Sequence, residues 1–421
     1  MEMANSGLVE FASHSYDAHH GIPANPQGNT QPPYSTLKYD KRTKSYESVN
    51  SYMNRVSDDI KRSSEAIYTY TGKYPRIMVW PYGAYTKISQ KLAQKHGMPI
   101  ALTLDDGINY PKNISSIKRI LISSNPSFSE FYWAMQNKTK KRITPEHSLF
   151  IDMDEIYHPN PKITNKRLGV LIEKIRKLKV STIILKAYSD LDEDGYADSL
   201  YFPNHILPVR DDLLNRVAWQ LQRRADIEDV YIQMPLYCFE KNDKPFSIKN
   251  KKDQKEIYAI YYELSKQSSF KGIFFDNSKD MQHIQVKSAI KFTKELYKSI
   301  RHFSADIKTA LMINSKKFIY TDDKTAKELL KSFTFVYIDA KPSLDEFSKL
   351  CKKTANTPLG LQKAVIVINE NENSNKNIVK QMEQLLKNKI INIGYRPILF
   401  IDDKKYADLI EIFSLKKSVI K

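Results

Sequence analysis

Leu149-Phe150-Ile151-Asp152-Met153-Asp154, then an amphipathic stretch over 165–178, then Thr182-Ile183-Ile184-Leu185-Lys186-Ala187-Tyr188, decide how this chain is built. Each apolar run is short and unbroken, and the segment between them has a helical period. Strands that are apolar at successive positions are those buried on both faces, as in parallel sheets covered by helices. The alternation then recurs. Candidate strands follow at 230–235, 272–276, 308–313, 335–339, 364–369 and 393–400, with helical stretches at 211–224, 254–267, 288–301 and 378–387. About eight strand–helix units over some 250 residues predict an α/β fold, a (β/α)8 TIM-type barrel spanning residues 148–421.

Upstream the pattern differs. Residues 137–147 are charged, contain Pro145 and lack periodicity, and read as a linker. Residues 1–136 read as a partial α/β layer domain. Its predicted elements are a strand at 8–12, a polar loop at 23–33, a long helix at 48–71 ending at Gly72, a strand at 76–80, a helix at 87–95 and a strand at 100–104. Met1 to Gly7 lead straight into the first of these strands. The expectation is that at least one strand and its loop are missing in front, as in a truncated reading frame.

A chain of 421 residues is long enough for two cores. No apolar run approaches the roughly 20 residues needed to cross a bilayer, and the N-terminus lacks the pattern of a secretory signal. Cys238 and Cys351 lie in apolar surroundings and read as two buried thiols, with a disulfide between them left open. The net charge of +18 is spread along nearly every segment, with short clusters only at 138–142 and 249–252. Nucleic-acid binders concentrate such charge in a patch with interleaved aromatics, so no nucleic-acid partner is expected. Attraction to an anionic membrane surface would be equally unspecific.

Two motifs carry chemistry in the first domain. In Ser13-His14-Ser15-Tyr16-Asp17-Ala18-His19 the two imidazoles are not spaced for one helix face. The spacing suits a strand end and the loop after it, where both rings can turn toward one metal. Trp80-Pro81-Tyr82-Gly83 is a strand running into a tight turn. Two loop histidines alone mean little; the combination is more specific. In this order the motifs resemble those of metal-dependent polysaccharide deacetylases. The Gly7–His14 stretch, the loop Asn25-Pro26-Gln27-Gly28-Asn29, Val79–Tyr85, Tyr201-Phe202-Pro203-Asn204 and Asn215–Leu221 resemble the two-domain poly-β-1,6-N-acetyl-D-glucosamine N-deacetylases of bacterial biofilm export.

That resemblance implies a function: partial N-deacetylation of the polymer by metal-assisted amide hydrolysis, with the barrel binding the product. His14 and His19 would hold a divalent metal of the zinc, nickel, cobalt or iron class. Pro81, Tyr82 and Gly83 would wall the sugar pocket, with a backbone N–H there at the oxyanion. It also implies a periplasmic or outer-membrane-associated location and, as partner, an exopolysaccharide export complex. The chain departs from the pattern in one respect. The Thr-Phe-Asp-Asp-Gly motif that supplies the base and a carboxylate ligand does not precede the histidines, and Asp105-Asp106 read as turn residues rather than a substitute. The metal is therefore expected to bind weakly, and this chain alone to deacetylate little or not at all.

Barrel active sites sit at the C-terminal ends of the strands. There the sequence places Asp152 and Asp154 after the first strand, Asp190, Asp192 and Asp194 after the second, and Asp276 after the fourth. Asp152, Asp154 and Asp276 are the candidate catalytic residues, and Tyr188 and Asp190 candidate substrate contacts. Partly deacetylated polymer carries ammonium groups, which carboxylates would suit. By resemblance Asp152 and Asp154 match an Asp-Leu-Asp motif, whereas Phe275-Asp276-Asn277-Ser278 has lost a carboxylate where the relatives read Phe-His-Asp-Asp-Ala. Cleavage needs a pair, so binding is the firmer expectation, helped by aromatics such as Tyr157, Tyr188 and Tyr237; Trp219, on a helix, reads as core. The run Asp190–Gly195 is also similar to a calcium loop, but lacks the later ligands of an EF-hand. Two other readings stay open: a glycoside hydrolase acting through the barrel alone, and a non-catalytic glycan-binding remnant.

Overall fold

The computed structural model describes residues 2–105, 107–122, 124–139, 145–178, 180–225, 227, 229–267, 270–276, 286–304, 307–341, 343–370 and 375–397. The chain forms two compact units. The first comprises Met1–Ile143 together with Arg301–Ala305, and the second comprises Thr144–Ile300 and Asp306–Lys421.

The second unit is a closed barrel of eight parallel strands. They are β1 (His147–Asp152), β2 (Thr182–Lys186), β3 (Asp229–Pro235), β4 (Gly272–Asp276), β5 (Lys308–Asn314), β6 (Phe335–Asp339), β7 (Ala364–Asn369) and β8 (Ile393–Arg396). They pair in chain order, and β8 closes onto β1 through Ile393 beside His147. Alternate residues separate two apolar layers, as the period of two in a strand requires. Phe150, Ile184, Tyr231, Phe274, Met312, Tyr337 and Val367 fill the interior. Their neighbours, such as Ile151, Leu185, Ile232 and Phe275, join the larger core outside, where the helices pack. Helices Pro161–Leu178, Leu214–Arg224, Lys251–Ser265, Val286–Ile300 and Asn375–Lys387 lie within two to four residues of the boundaries read from the sequence.

Of the range expected for β8, residues 398–400 lie outside the described residues; β1 and β2 end two residues short of expectation, and both differences shape the mouth. β1 stops at Asp152 because its carboxylate accepts the N–H of Asp154 at 2.9 Å and caps a helical turn, Met153–Ile156. β2 stops at Lys186, and Tyr188–Ser189 instead pair antiparallel with Ser199–Leu200 in a small hairpin.

In the first unit the long helix is Val49–Thr71. The Ser48 side chain caps its start by accepting from Ser51 N–H, and Gly72 closes it at φ 71°, in the left-handed region glycine favours. Ile77–Val79 and Ile100–Leu102 pair in parallel, and Lys87–Lys95 starts from a Thr86–Ser89 capping box. Tyr34, Tyr52, Val56, Ile60, Met78, Trp80, Met98 and Phe303 form the core of this unit. The strand predicted at 8–12 does not form. Leu8 is 91% and Val9 43% exposed, so the apolar run has no surface to cover. Only Ser13 reaches the sheet, donating to Ile77 O and accepting from Val79 N–H. The stretch read as linker overlaps the end of helix Phe128–Thr139 and the start of β1. Cys238 and Cys351 are both buried free thiols, which answers the open disulfide, and burial pushes the Cys351 thiol up to about 12. Among the described residues no helix is long and apolar enough to cross a membrane.

Candidate functional sites

In the first unit the short pairing of Ser13 with the Ile77–Val79 strand sets the position of the next residue, His14. Its Nδ1 lies 2.8 Å from the Val79 carbonyl oxygen. Donation of the ring N–H to that oxygen leaves Nε2 with its lone pair, the state a metal ligand needs. The His19 ring centroid is 5.0 Å from that of His14, and both residues are exposed. The loop between them is tied to the long helix by a residue the sequence reading missed. The Asp59 carboxylate accepts the N–H groups of Tyr16 at 3.1 Å and Asp17 at 2.7 Å, and the Tyr34 hydroxyl at 2.5 Å. Burial, and then the bond to Asp59, hold the Tyr34 hydroxyl far above its usual range, so it stays a donor.

The turn at Pro81–Gly83 closes on the same site. Tyr82 sits at φ 58°, an unusual conformation for a residue with a side chain, and its ring lies 4.4 Å from that of His19. Gly83 is at φ 65°, and a Cβ there would meet Leu104 at 2.7 Å, so the turn needs glycine. Pro81 is buried beneath it. The structure thus brings His14, His19 and Tyr82 together, with Pro81 and Gly83 shaping the turn. Two imidazoles side by side fit two positions around a divalent ion of borderline softness. Among the described residues no carboxylate completes a three-ligand group with them. Asp105 is exposed, its N–H donating to Thr103 Oγ1 at 3.3 Å, and Asp106 lies outside the described residues.

In the barrel, the residues that continue the interior rows past the apolar layer form the C-terminal mouth. Asp152 follows Phe150, Lys186 follows Ile184, Gln233 follows Tyr231, and Asp276 follows Phe274. Lys186 Nζ bonds Asp152 at 2.7 Å and stands 3.6 Å from Asp154. Arg210 Nε is 3.4 Å from Asp154, which also accepts the hydroxyls of Ser189 and Tyr201, each at 2.6 Å. Asp276 accepts from Gln233 Nε2 at 2.6 Å and from the Tyr188 hydroxyl at 3.3 Å. Lys186 also lies over the Tyr188 ring, 4.9 Å from its centroid.

These partners change the electrostatic reading. The mouth is not simply acidic, because Lys186 and Arg210 are set among the carboxylates. Burial raises the Asp152 carboxyl above its ordinary value, more than the Lys186 charge lowers it. Burial works to lower Lys186, but the combined pull of Asp152, Asp154 and Asp190 carries it above the ordinary lysine value. Burial, then Asp276 and Asp152, push the Tyr188 hydroxyl well above its usual range, so it remains protonated and donates. The arrangement offers a fixed set of carboxylate acceptors, one ammonium and the Tyr188 hydroxyl as a donor. Lys186, Gln233 and Arg210 were not singled out in the sequence; the strand periodicity alone would have found the first two. Tyr157 lies under the Arg210 guanidinium at 5.0 Å, Tyr237 is buried, and Trp219 is half-buried on its helix. Residues 277 and 278, which the sequence comparison made important, lie outside the described residues.

Residues 1–101 match the family described as polysaccharide deacetylase, whose members are metal-dependent, and residues 150–257 match "hypothetical glycosyl hydrolase family 13". The chain is 26% identical, over 97% of its length and 73% of theirs, to the poly-β-1,6-N-acetyl-D-glucosamine N-deacetylases of Escherichia coli K12 and O157:H7. It is a homologue of these N-deacetylases. The kinship is therefore with hydrolases that join a deacetylase part to a glycoside-hydrolase-like barrel. For the barrel, the glycoside hydrolase domain of PgaB (BpsB) from Bordetella bronchiseptica superposes with a TM-score of 0.56 at 24% identity, covering 65% of this chain and 99% of that one. The fold is shared. A solved deacetylase domain from the same organism is 44% identical across 28% of this chain and 45% of that chain, with a TM-score of 0.27.

Proposed function

We propose that this chain serves the partial N-deacetylation of poly-β-1,6-N-acetyl-D-glucosamine, and that its barrel mouth binds the partly deacetylated polymer. The observation that carries the reading is the mouth itself. Asp152, Asp154 and Asp276 stand with Tyr188 at the ends of β1, β2 and β4, oriented by Lys186, Gln233 and two hydroxyls. Asp190, just past the hairpin strand, lies at the rim. Glucosamine ammonium groups would be taken by the carboxylates, and sugar hydroxyls by the Lys186 and Tyr188 donors.

In the first unit, His14 and His19 would hold a divalent metal of the zinc, nickel, cobalt or iron class, which when bound would supply Lewis acidity to the acetamide carbonyl. The chain's own residues orient the reactants. Val79 O fixes the tautomer of His14, Asp59 holds the loop, Pro81 and Gly83 set the turn, and Tyr82 beside His19 offers a face to the sugar ring. With two ligands and no carboxylate base among the described residues, turnover by this chain alone is slow and metal binding weak. The first unit, Met1–Ile143 with Arg301–Ala305, would be the deacetylase part, and the barrel unit the polymer-binding part. The setting would be the periplasm or the outer membrane, with an exopolysaccharide export complex as partner.

A second reading, cleavage of the glycan by the barrel, is favoured by one observation: burial raises the Asp152 carboxyl, as a general acid requires. The deciding assay measures acetate and shortened oligosaccharide from the polymer and its partly deacetylated form, with and without added Co2+. Metal-dependent acetate, however slow, that disappears in His14→Ala supports the deacetylase assignment. Acetate release indifferent to His14→Ala contradicts it. Shortened chains without acetate make the barrel the working enzyme. Neither product, with binding retained, leaves a glycan-binding remnant.

A further inference from the structure

The residues that close the interior rows of the barrel differ in charge around the mouth. On the flank made by β8, β1 and β2 they are Arg396, Asp152 and Lys186. From β3 to β6 they are Gln233, Asp276, Asn314 and Asp339, with no lysine or arginine among them. Lys186 stands in register between Asp152 and Gln233, and Arg396 lies over the interior Phe150 ring, 4.8 Å from its centroid.

The first flank has also committed its acceptors. Asp152 Oδ1 accepts the Asp154 N–H at 2.9 Å, and its Oδ2 accepts from the Lys186 ammonium at 2.7 Å. Asp154 Oδ1 takes the Ser189 and Tyr201 hydroxyls, each at 2.6 Å, and faces Arg210 Nε at 3.4 Å. Its Oδ2 faces Lys186 at 3.6 Å. Every oxygen of this carboxylate pair therefore already meets a donor or a cation. A glucosamine ammonium arriving there would have to displace one of them and would meet the Lys186 charge. That repulsion is poorly screened, because the Lys186 and Asp152 side chains are only 20% and 30% exposed. An N-acetylated residue carries no such charge, and its acetamide oxygen can accept from the ammonium. Across the mouth, Asp276 is held by two neutral donors, Gln233 Nε2 at 2.6 Å and the Tyr188 hydroxyl at 3.3 Å, which orient the carboxylate without cancelling its charge.

We propose that Lys186 is a specificity-determining residue: it bars glucosamine ammonium from the β1–β2 flank, reserves that flank for an N-acetylated residue and leaves the ammonium to Asp276. The inference rests on the polymer reading above and deepens it. The mouth then selects polymer in which acetylated and deacetylated residues lie close together over polymer that is fully deacetylated. Burial works against the Lys186 charge, but the pull of Asp152, Asp154 and Asp190 outweighs it and keeps the ammonium protonated.

The test titrates two β-1,6-linked tetrasaccharides, one fully deacetylated and one alternately N-acetylated, into the full chain in EDTA and into its Lys186→Gln and Lys186→Arg variants, by calorimetry. The wild type is expected to bind the alternating ligand about tenfold more tightly than the fully deacetylated one. Lys186→Gln should erase that preference by gaining affinity for the fully deacetylated ligand, a gain that a lysine of structural role alone would not give. Lys186→Arg, which keeps the charge, should keep the preference. Equal or tighter binding of the fully deacetylated ligand by the wild type, or a preference that survives in Lys186→Gln, overturns the proposal while the polymer reading stands. So does a preference lost in Lys186→Arg, which would make shape rather than charge its cause. Binding of neither ligand by the wild type overturns the polymer reading and the proposal with it.

Discussion

Asp59 shows how much of a site can rest on a residue that no motif marks. It touches no ligand, yet three donors converge on it, and two of them are backbone N–H groups of the loop between His14 and His19. Asp59→Asn replaces one acceptor oxygen by a donor group facing those N–H groups. Supporting residues of this kind are worth about 10–100-fold in metal affinity. The expected result is Co2+ binding weakened about tenfold, read by calorimetry or by the Co2+ absorption band, with the fold retained by circular dichroism. The histidines were legible in the sequence because their spacing and the downstream Trp80-Pro81-Tyr82-Gly83 form a recognisable order. Asp59 was not, because in sequence it is one more polar residue on an amphipathic helix.

At the scale of elements, the barrel strands were legible almost to the residue, since β4, β6 and β7 coincide with their predicted ranges. Burial on both faces leaves unbroken apolar runs that few other structures tolerate. The strand at 8–12 failed for the complementary reason: an apolar run is not a strand unless a neighbour is there to pair with it. The mouth residues follow from parity, because each polar residue closing an interior row must face the barrel axis. Lys186 is the residue on which this layer turns, bonding Asp152 and standing close to Asp154 at the end of β2. Lys186→Met leaves Asp152 half-desolvated without its cation, and a loss of about 1–2 kcal/mol is expected after allowing for solvent access. Urea unfolding at neutral pH measures it; an unchanged midpoint would show that the pair contributes nothing net.

The whole molecule carries a second buried polar layer, at the opposite end of the barrel. Glu146 Oε1 accepts from Ser148 Oγ at 2.6 Å and from the Tyr337 hydroxyl at 3.2 Å, and its N–H donates to Asn392 Oδ1 at 3.0 Å. Burial raises this carboxyl above its ordinary value, against the lowering by its hydroxyl donors. A carboxyl whose folded value lies above the unfolded one favours the protonated form. Its contribution to stability is full below the unfolded carboxyl range and is lost as pH rises through the raised value. Glu146→Gln should therefore gain on the wild type as pH is raised from about 4 to 8, measured by urea midpoints at each pH. A constant difference would mean that the Glu146 carboxyl titrates alike in the folded and unfolded chain. None of this was visible in the sequence, where Glu146 lay in the stretch taken for a linker.

The barrel mouth is proposed to bind partly deacetylated poly-β-1,6-N-acetyl-D-glucosamine through its carboxylates. Calorimetric titration of a partly deacetylated oligosaccharide into the His14→Ala chain, and into the same chain carrying Asp276→Asn, tests it without interference from the first unit. The first protein is expected to bind and the second to bind with an affinity about tenfold lower, with both affinities falling as salt is raised. No binding by the first protein, or equal affinity in the two, would contradict it.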